Sequence, residues 1–170
     1  MKIAGFEIKN KAGFFSALLG VLATFTMAMG NDGLLGSVAN ATSSWGNVNV
    51  AVEKLHSYNV NQVGGHAILD RSDVGFQKLD EVLRSKVPWL KYSCPTAYIM
   101  NTPATIGGAP TKVVHAYING KTQAVAEFYV VDSWIAQEKQ KNYLYKGLML
   151  LFISFCISIS QFVKPIEETL

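Results

Sequence analysis

Two long apolar segments, one near each end of the chain, limit what it can fold into more than any other feature. Residues 12–30 contain no charged side chain, and neither do residues 147–163. As helices they would be roughly 28 Å and roughly 25 Å long, close to the thickness of about 30 Å of a bilayer's hydrocarbon core. A chain of 170 residues has room for one small domain, which cannot enclose two helices that are apolar all round. The sequence therefore predicts transmembrane helices at residues 12–30 and 147–163.

The first segment also has features of a cleaved secretory signal peptide. Lys2, Lys9 and Lys11 precede it, and the Ala-Met-Gly at residues 28–30 resembles a cleavage site between small residues. Its apolar run is longer than the ~7–15 residues usual in signal peptides. We therefore expect an uncleaved anchor and keep cleavage as the alternative.

Basic residues near the two segments favour one sidedness by a small margin. Lysine-rich flanks of membrane spans tend to stay in the cytoplasm. The tails, residues 1–11 and 164–170, carry one lysine more than the domain side: Lys2, Lys9, Lys11 and Lys164 against Lys139, Lys141 and Lys146. Because the first span usually dominates, the sequence predicts a two-span membrane protein with both tails cytoplasmic and its domain extracytoplasmic.

Small side chains recur along one face of each predicted span. They stand every four residues on the first span and form a shorter pair on the second: Ser16, Gly20, Thr24 and Ala28, then Ser154 and Ser158. In lipid, helices associate through close backbone approach and interhelical hydroxyl bonds. We therefore predict that these residues form a helix-packing stripe, which joins the two spans into a hairpin or joins several copies. The alternative is that they face lipid, since spans often contain such residues without a partner.

Between the spans, residues 31–132 predict a small α+β domain with an antiparallel sheet and one or two helices. Asn119-Gly120 favours a type I′ hairpin turn between strands at residues 113–118 and 121–131. Counting outward from the turn gives two of the pairs: Ile118 with Lys121, and His115 with Ala124. The more apolar face of this hairpin is expected to be the core: Val113, His115, Tyr117, Ala124, Ala126, Phe128 and Val130.

A second element with a clear pattern is a helix that ends near Lys86. Ser72 or Asp73 can cap its N-terminus, and Pro88 cannot continue it. Its apolar residues recur at helical spacing and predict one buried face: Phe76, Leu79, Val82 and Leu83.

Other parts of the domain give weaker patterns. Residues 36–46 are small and polar and predict a linker at the membrane surface. Alternation at residues 47–52 predicts a strand, with a helix over residues 50–58 as the alternative, and residues 66–70 predict a short strand. A final helix, capped by Asp132 or Ser133, is expected to form a juxtamembrane segment at residues 133–146 and to continue into the second span.

No arrangement of side chains in the sequence predicts catalysis. His56, His66 and His115 show no spacing typical of metal ligands. Cys94 and Cys156 are the two cysteines, and Cys156 lies in a predicted span, so an intrachain disulfide is not expected. A net charge of +3 without a basic run argues against nucleic-acid binding. We therefore expect no catalytic residue, no metal and no cofactor.

Three functions remain open on the sequence alone. The first is a non-enzymatic, membrane-anchored subunit of a larger complex, whose α+β domain docks on partner subunits. Its partners would be the lipid bilayer and other membrane subunits, or further copies of the chain. The second is a ligand-sensing effector whose hairpins oligomerise into a pore lined by the serines of the second span; the sequence identifies no ligand. The third is a membrane-tethered enzyme.

Overall fold

A computed structural model describes most of the chain, and its contacts divide the chain into two units. The described residues are 2–3, 6–7, 10–31, 33–56, 67–101 and 112–160. One unit, here called the hairpin unit, contains Met1–Gly36 and Gln140–Leu170, and the other, the sheet unit, contains Ser37–Lys139. His66, the end of the predicted second span at residues 161–163 and the tail at 164–170 lie outside the described residues.

The hairpin unit is built mainly from two helices. Two short strands, β1 (Lys2–Ile3) and β2 (Phe6–Glu7), pair antiparallel before helix α1 (Lys11–Ala28). The Asn10 side chain caps α1 by accepting a hydrogen bond of 2.9 Å from the Gly13 amide. The last helix, α5 (Phe128–Ser160), is continuous and begins in the sheet unit. Helices α1 and α5 are both long and apolar enough to cross a membrane.

The surface of the two helices is largely apolar. Their exposed large side chains include Phe15, Val21, Phe25, Met149, Phe152 and Phe155. In a soluble domain the core helix would bury most of such residues, whereas in a bilayer they would face lipid.

The sheet unit combines three helices with a four-stranded sheet. Its helices are α2 (Leu34–Thr42, which begins in the hairpin unit), α3 (Ser44–His56) and α4 (Phe76–Lys86), followed by a 3-10 turn at Pro88–Tyr92. Its strands are β3 (Ala67–Asp70), β4 (Ala97–Asn101), β5 (Val113–Ile118) and β6 (Lys121–Glu127). They form an antiparallel sheet in the order β3-β4-β5-β6. The predicted α+β class of the domain is confirmed.

The predicted hairpin is confirmed in its turn and its register. Asn119 has a φ of 50° and Gly120 a φ of 79°, as a type I′ turn requires. The two predicted pairs are present: Ile118 with Lys121, and His115 with Ala124. Strand β6 nevertheless ends at Glu127, and α5 begins at Phe128, so the predicted strand end and the predicted cap at Asp132 or Ser133 were wrong.

The predicted core face of the hairpin was also wrong. Val114 and Ala116 are fully buried, whereas His115 is half-buried and Tyr117 is 37% exposed. Helix α3 packs on β3 and β4, and β6 lies at the opposite edge of the sheet. A polar residue of β6 on the core side, such as Gln123 opposite Ala116, therefore remains exposed. Its polarity made the buried face look like the solvent face.

Helix α4 buries the face that the sequence predicts but begins later than predicted. Phe76, Leu79, Val82 and Leu83 are buried, and the helix ends before Pro88. Neither predicted cap is used, because the Asp73 carboxylate accepts a hydrogen bond from the Asp70 amide. The residue before α4 is Gly75 with a φ of 87°, and a Cβ there would overlap the Asn47 carbonyl oxygen.

Residues 36–42 and 44–52 lie in α2 and α3, so the predicted linker and the predicted strand were both wrong, and the alternative of a helix from residue 50 is present as far as His56. Helix α3 buries residues at helical spacing: Trp45, Val48, Ala51 and Leu55. Helices α2 and α3 approach so closely that a Cβ on Gly46 would overlap the Asn40 carbonyl oxygen. The small residues that suggested a linker therefore permit helix packing.

Candidate functional site

In the hairpin unit, three serines join α1 to α5 by hydrogen bonds. The Ser16 hydroxyl oxygen lies 3.1 Å from the Ser154 Oγ and 2.6 Å from the Ser158 Oγ. It also lies 3.0 Å from the Ser154 carbonyl oxygen, and the Ser154 hydroxyl donates to the Ser16 carbonyl oxygen over 2.8 Å. Because residues on either helix supply these atoms, the cluster links two segments that are far apart in sequence. Such bonds stabilise helix pairs in lipid by roughly 0.6–2 kcal/mol each.

Beyond the serines, the two helices meet at glycines. A Cβ on Gly147 of α5 would overlap the Met27 side chain and lie 2.9 Å from the Ala23 carbonyl oxygen. A Cβ on Gly30 would lie 3.0 Å from the Gln140 Cα. Glycine at these two positions allows the backbones to approach, so the contact between the helices is close along its whole described length.

The structure brings together four of the six residues in the predicted stripe. Ser16, Ser154 and Ser158 are bonded to one another, and a Cβ on Gly20 would lie 3.8 Å from the Ser154 Oγ. Thr24 is exposed, and its hydroxyl donates to the Gly20 carbonyl oxygen of its own helix over 3.0 Å. Ala28 is only half-buried.

The residues that the prediction missed continue the contact with a different spacing. The contact runs through Ser16, Gly20, Ala23 and Met27 of α1 and through Gly30, two residues beyond the end of the helix. These alternate steps of four and three residues average 3.5, whereas steps of four drift by about 40° each around a helix. The missing signal in the sequence was therefore the period of 3.5, together with Gly147, the only glycine in the described part of α5.

In the sheet unit, the face of the sheet opposite the buried Leu69, Tyr98 and Val114 carries an apolar row. Ile68, Ile99, His115 and Ala124 are cross-strand neighbours, and Tyr117 lies two residues further along β5. Ile68 is 37% exposed, and Ile99 and His115 are half-buried. We call Ile68, Ile99, His115 and Tyr117 the open row. Two of its residues, His115 and Tyr117, belong to the hairpin face that the sequence predicts as core.

A cleft lies at the junction of α3 and the start of α5, within the sheet unit. Its volume is about 510 Å³, and it is lined by Val52, Glu53, His56, Phe128 and Asp132. The ring centroids of His56 and Phe128 are 5.2 Å apart. The cleft thus offers one imidazole and two carboxylates to solvent. No group of three or more potential metal ligands occurs in the described residues.

Among the ionisable side chains of the sheet unit with shifted pKa values, Tyr98 and Asp73 owe their shifts mainly to hydrogen bonds and burial within the fold. Burial, and then the hydrogen bond to Asp80, raise the pKa of Tyr98 well above its usual range. A hydrogen bond from Lys54 lowers the pKa of the Asp73 carboxyl. Both side chains are hydrogen-bonded within the fold, and neither lines the cleft.

Comparison with family models, with curated proteins and with solved structures yields no match for this chain.

Proposed function

We propose that the protein is a non-enzymatic, two-span membrane subunit whose α+β domain docks on a partner protein in the same membrane. The open row carries this proposal. Soluble parts of proteins rarely leave apolar side chains from neighbouring strands exposed together, and such surfaces are typical of protein contacts. The row includes an aromatic residue, Tyr117, and tyrosine is enriched at the centre of interfaces.

The hairpin unit supports the anchoring half of the proposal. Helices α1 and α5 are each long enough to span a bilayer and are held together by the serine cluster and the close approach at Gly147. We further propose that both tails are cytoplasmic and that the domain is extracytoplasmic, because the basic tail precedes the first span.

A ligand-sensing pore former is the second candidate, and the cleft around His56 is the observation that favours it. Its aromatic and carboxylate lining suits a small cationic ligand. The pore half of this function has less support, since Ser154 and Ser158 bond to Ser16 inside the hairpin. In that arrangement their hydroxyls form hydrogen bonds to α1 instead of lining a pore.

Photo-crosslinking in intact membranes tests the docking function. Benzoyl-phenylalanine replaces Tyr117 in the open row or, as the matched control, Tyr92, which is 88% exposed in the 3-10 turn. We expect irradiation to give one discrete protein adduct from position 117 and none from position 92. Equal adducts from both positions, or none from position 117, would contradict docking through this face.

A pair of charge substitutions gives an independent measurement. Ile68→Asp places a charge in the open row, and Val74→Asp does the same at an exposed apolar residue outside it. The partner identified by crosslinking should no longer co-purify with the Ile68→Asp variant in mild detergent. It should still co-purify with the Val74→Asp variant. Loss of the partner in both variants would locate the docking surface elsewhere.

A further inference from the structure

A groove on the surface of the hairpin unit has an apolar lining to which one lysine side chain contributes. Its volume is about 510 Å³, and it is lined by Thr26 of α1 and by Tyr145, Lys146, Met149 and Leu150 of α5. This volume falls within the range of about 300–1,000 Å³ that is typical of small-ligand sites. Nearly all of its lining is apolar, and Lys146 supplies its only charge.

Lys146 stands where the charged part of α5 ends. From residue 147 to the last described residue of the helix, Ser160, there is no charged side chain. The Lys146 Nζ lies 5.5 Å from the centroid of the Tyr143 ring, and among the described residues no carboxylate forms an ion pair with it. Lysine and tyrosine together at the end of an apolar segment are typical of the depth at which lipid head groups lie.

The polarity of the groove follows the direction of α5. Met149 and Leu150 lie about one helical turn beyond Lys146, toward the uncharged end of the helix, a rise of roughly 5 Å. In a bilayer the ammonium group would therefore sit at the level of the phosphates, and the two apolar side chains at the level of the acyl chains. A glycerophospholipid has the same order of polar and apolar parts along its length.

We propose that this groove binds an anionic glycerophospholipid. Its phosphate lies against the Lys146 ammonium group, within reach of the Tyr145 hydroxyl, and one acyl chain runs along Met149 and Leu150. The Thr26 hydroxyl donates to the Leu22 carbonyl oxygen over 2.8 Å, so its oxygen keeps only acceptor capacity toward the lipid. A lipid with net negative charge is preferred because a zwitterionic head group partly neutralises its own phosphate. The proposal rests on the membrane insertion proposed above.

Native mass spectrometry of the full chain in mild detergent tests the proposal, with phosphatidylglycerol and phosphatidylcholine titrated separately. We expect one phosphatidylglycerol to bind about fivefold more tightly than phosphatidylcholine, as one lysine near a membrane surface contributes about 1 kcal/mol. Lys146→Gln should abolish this preference. Lys141→Gln, an exposed lysine of the same helix outside the groove, should keep it.

A second pair of variants tests the apolar half of the groove. Met149→Trp fills the groove and should weaken binding of both lipids, whereas Leu148→Trp, at the exposed residue beside it, should not.

Equal effects of Lys146→Gln and Lys141→Gln, or no preference in the wild type, would overturn the lipid site while the protein stays in the membrane. Release of the chain from membranes by alkaline carbonate would instead overturn the proposed membrane function, and the lipid site with it.

Discussion

At the scale of single residues, the Asp80 carboxylate holds three elements of the sheet unit together. Its Oδ1 accepts a hydrogen bond of 2.6 Å from the Tyr98 hydroxyl of β4, and its Oδ2 accepts one of 2.6 Å from the Arg84 Nε on its own helix. Arg84 also donates to the Leu90 carbonyl oxygen of the 3-10 turn over 3.1 Å. The ring of Tyr98 is fully buried. Loss of one member therefore leaves a partly buried polar group without its partner.

We predict that Tyr98→Phe destabilises the protein by about 1–3 kcal/mol, because Asp80 loses a charge-assisted hydrogen bond inside the fold. Thermal unfolding followed by circular dichroism in detergent measures the loss. Tyr92→Phe is the matched control and should leave the melting temperature unchanged, since that side chain is 88% exposed. Similar melting temperatures for the two variants would show that the bond to Asp80 contributes nothing.

The same tyrosine predicts a dependence of stability on alkaline pH. The pKa of Tyr98 is raised in the folded state by burial and by Asp80. Its contribution is therefore complete below the pKa of an unfolded tyrosine, about 10, and is lost as the pH rises above that value. The stability difference between wild type and Tyr98→Phe should shrink above about pH 10. A difference that stays constant up to pH 11 would contradict the assigned cause.

At the scale of elements, the sequence predicted those that carry their own signals. The Asn119-Gly120 turn determines the register of the hairpin around it, and the spacing of apolar residues from Phe76 to Leu83 determines which face of the helix is buried. Residues 47–52 of helix α3 were predicted as a strand because Asn47 and Asn49 alternate with apolar residues; a helix was only the alternative, over residues 50–58. Strand β4 was not predicted. It is short and lies between two other strands, so it is stabilised by pairing with residues far away in the sequence, which a local pattern does not contain.

The candidate sites divide in the same way. Ser16, Gly20, Ser154 and Ser158 were found because small residues in an apolar segment are a local pattern. His115 and Tyr117 of the open row were assigned to the core, because an apolar strand face looks the same whether a helix covers it or not. Which face is covered depends on where α3 packs, and that is a property of the tertiary fold.

The hairpin contact gives a prediction that compares the same substitution at two glycines. Gly147→Ala should separate α1 from α5, because its Cβ would overlap Met27 and approach the Ala23 carbonyl oxygen. Gly20→Ala should be tolerated, since its Cβ would meet only the Ser154 Oγ at 3.8 Å. Overpacking of this kind typically costs about 1–3 kcal/mol.

Disulfide formation between the helices measures this effect. Ser16→Cys and Ser158→Cys are introduced together after Cys94→Ser and Cys156→Ala remove the native thiols. Crosslinking should be fast in this background and with Gly20→Ala, and several-fold slower with Gly147→Ala. Equal rates for the two glycine variants would contradict the close approach at Gly147.

At the scale of the whole molecule, two helices belong to both units. Helix α2 starts in the hairpin unit and ends in the sheet unit, and α5 passes from the sheet unit into the hairpin unit without a break. Both helices that are long and apolar enough to cross a membrane are therefore connected to the same domain. If α1 and α5 each cross the bilayer once, the chain segments beyond them must share the opposite side.

The proposed sidedness can be measured with the native thiols. Cys94 is exposed in the sheet unit, and Cys156 lies in the apolar half of α5, where lipid would surround it. A membrane-impermeant maleimide added to intact cells should label Cys94, and Cys94→Ser should abolish all labelling. A cysteine placed in the N-terminal tail by Lys2→Cys, in the Cys94→Ser background, should react only after the cells are permeabilised.

The reverse result, with the tail labelled in intact cells and Cys94 protected, would place the domain in the cytoplasm. The three lysines before the apolar part of α5, Lys139, Lys141 and Lys146, would then outweigh the basic tail in setting the orientation.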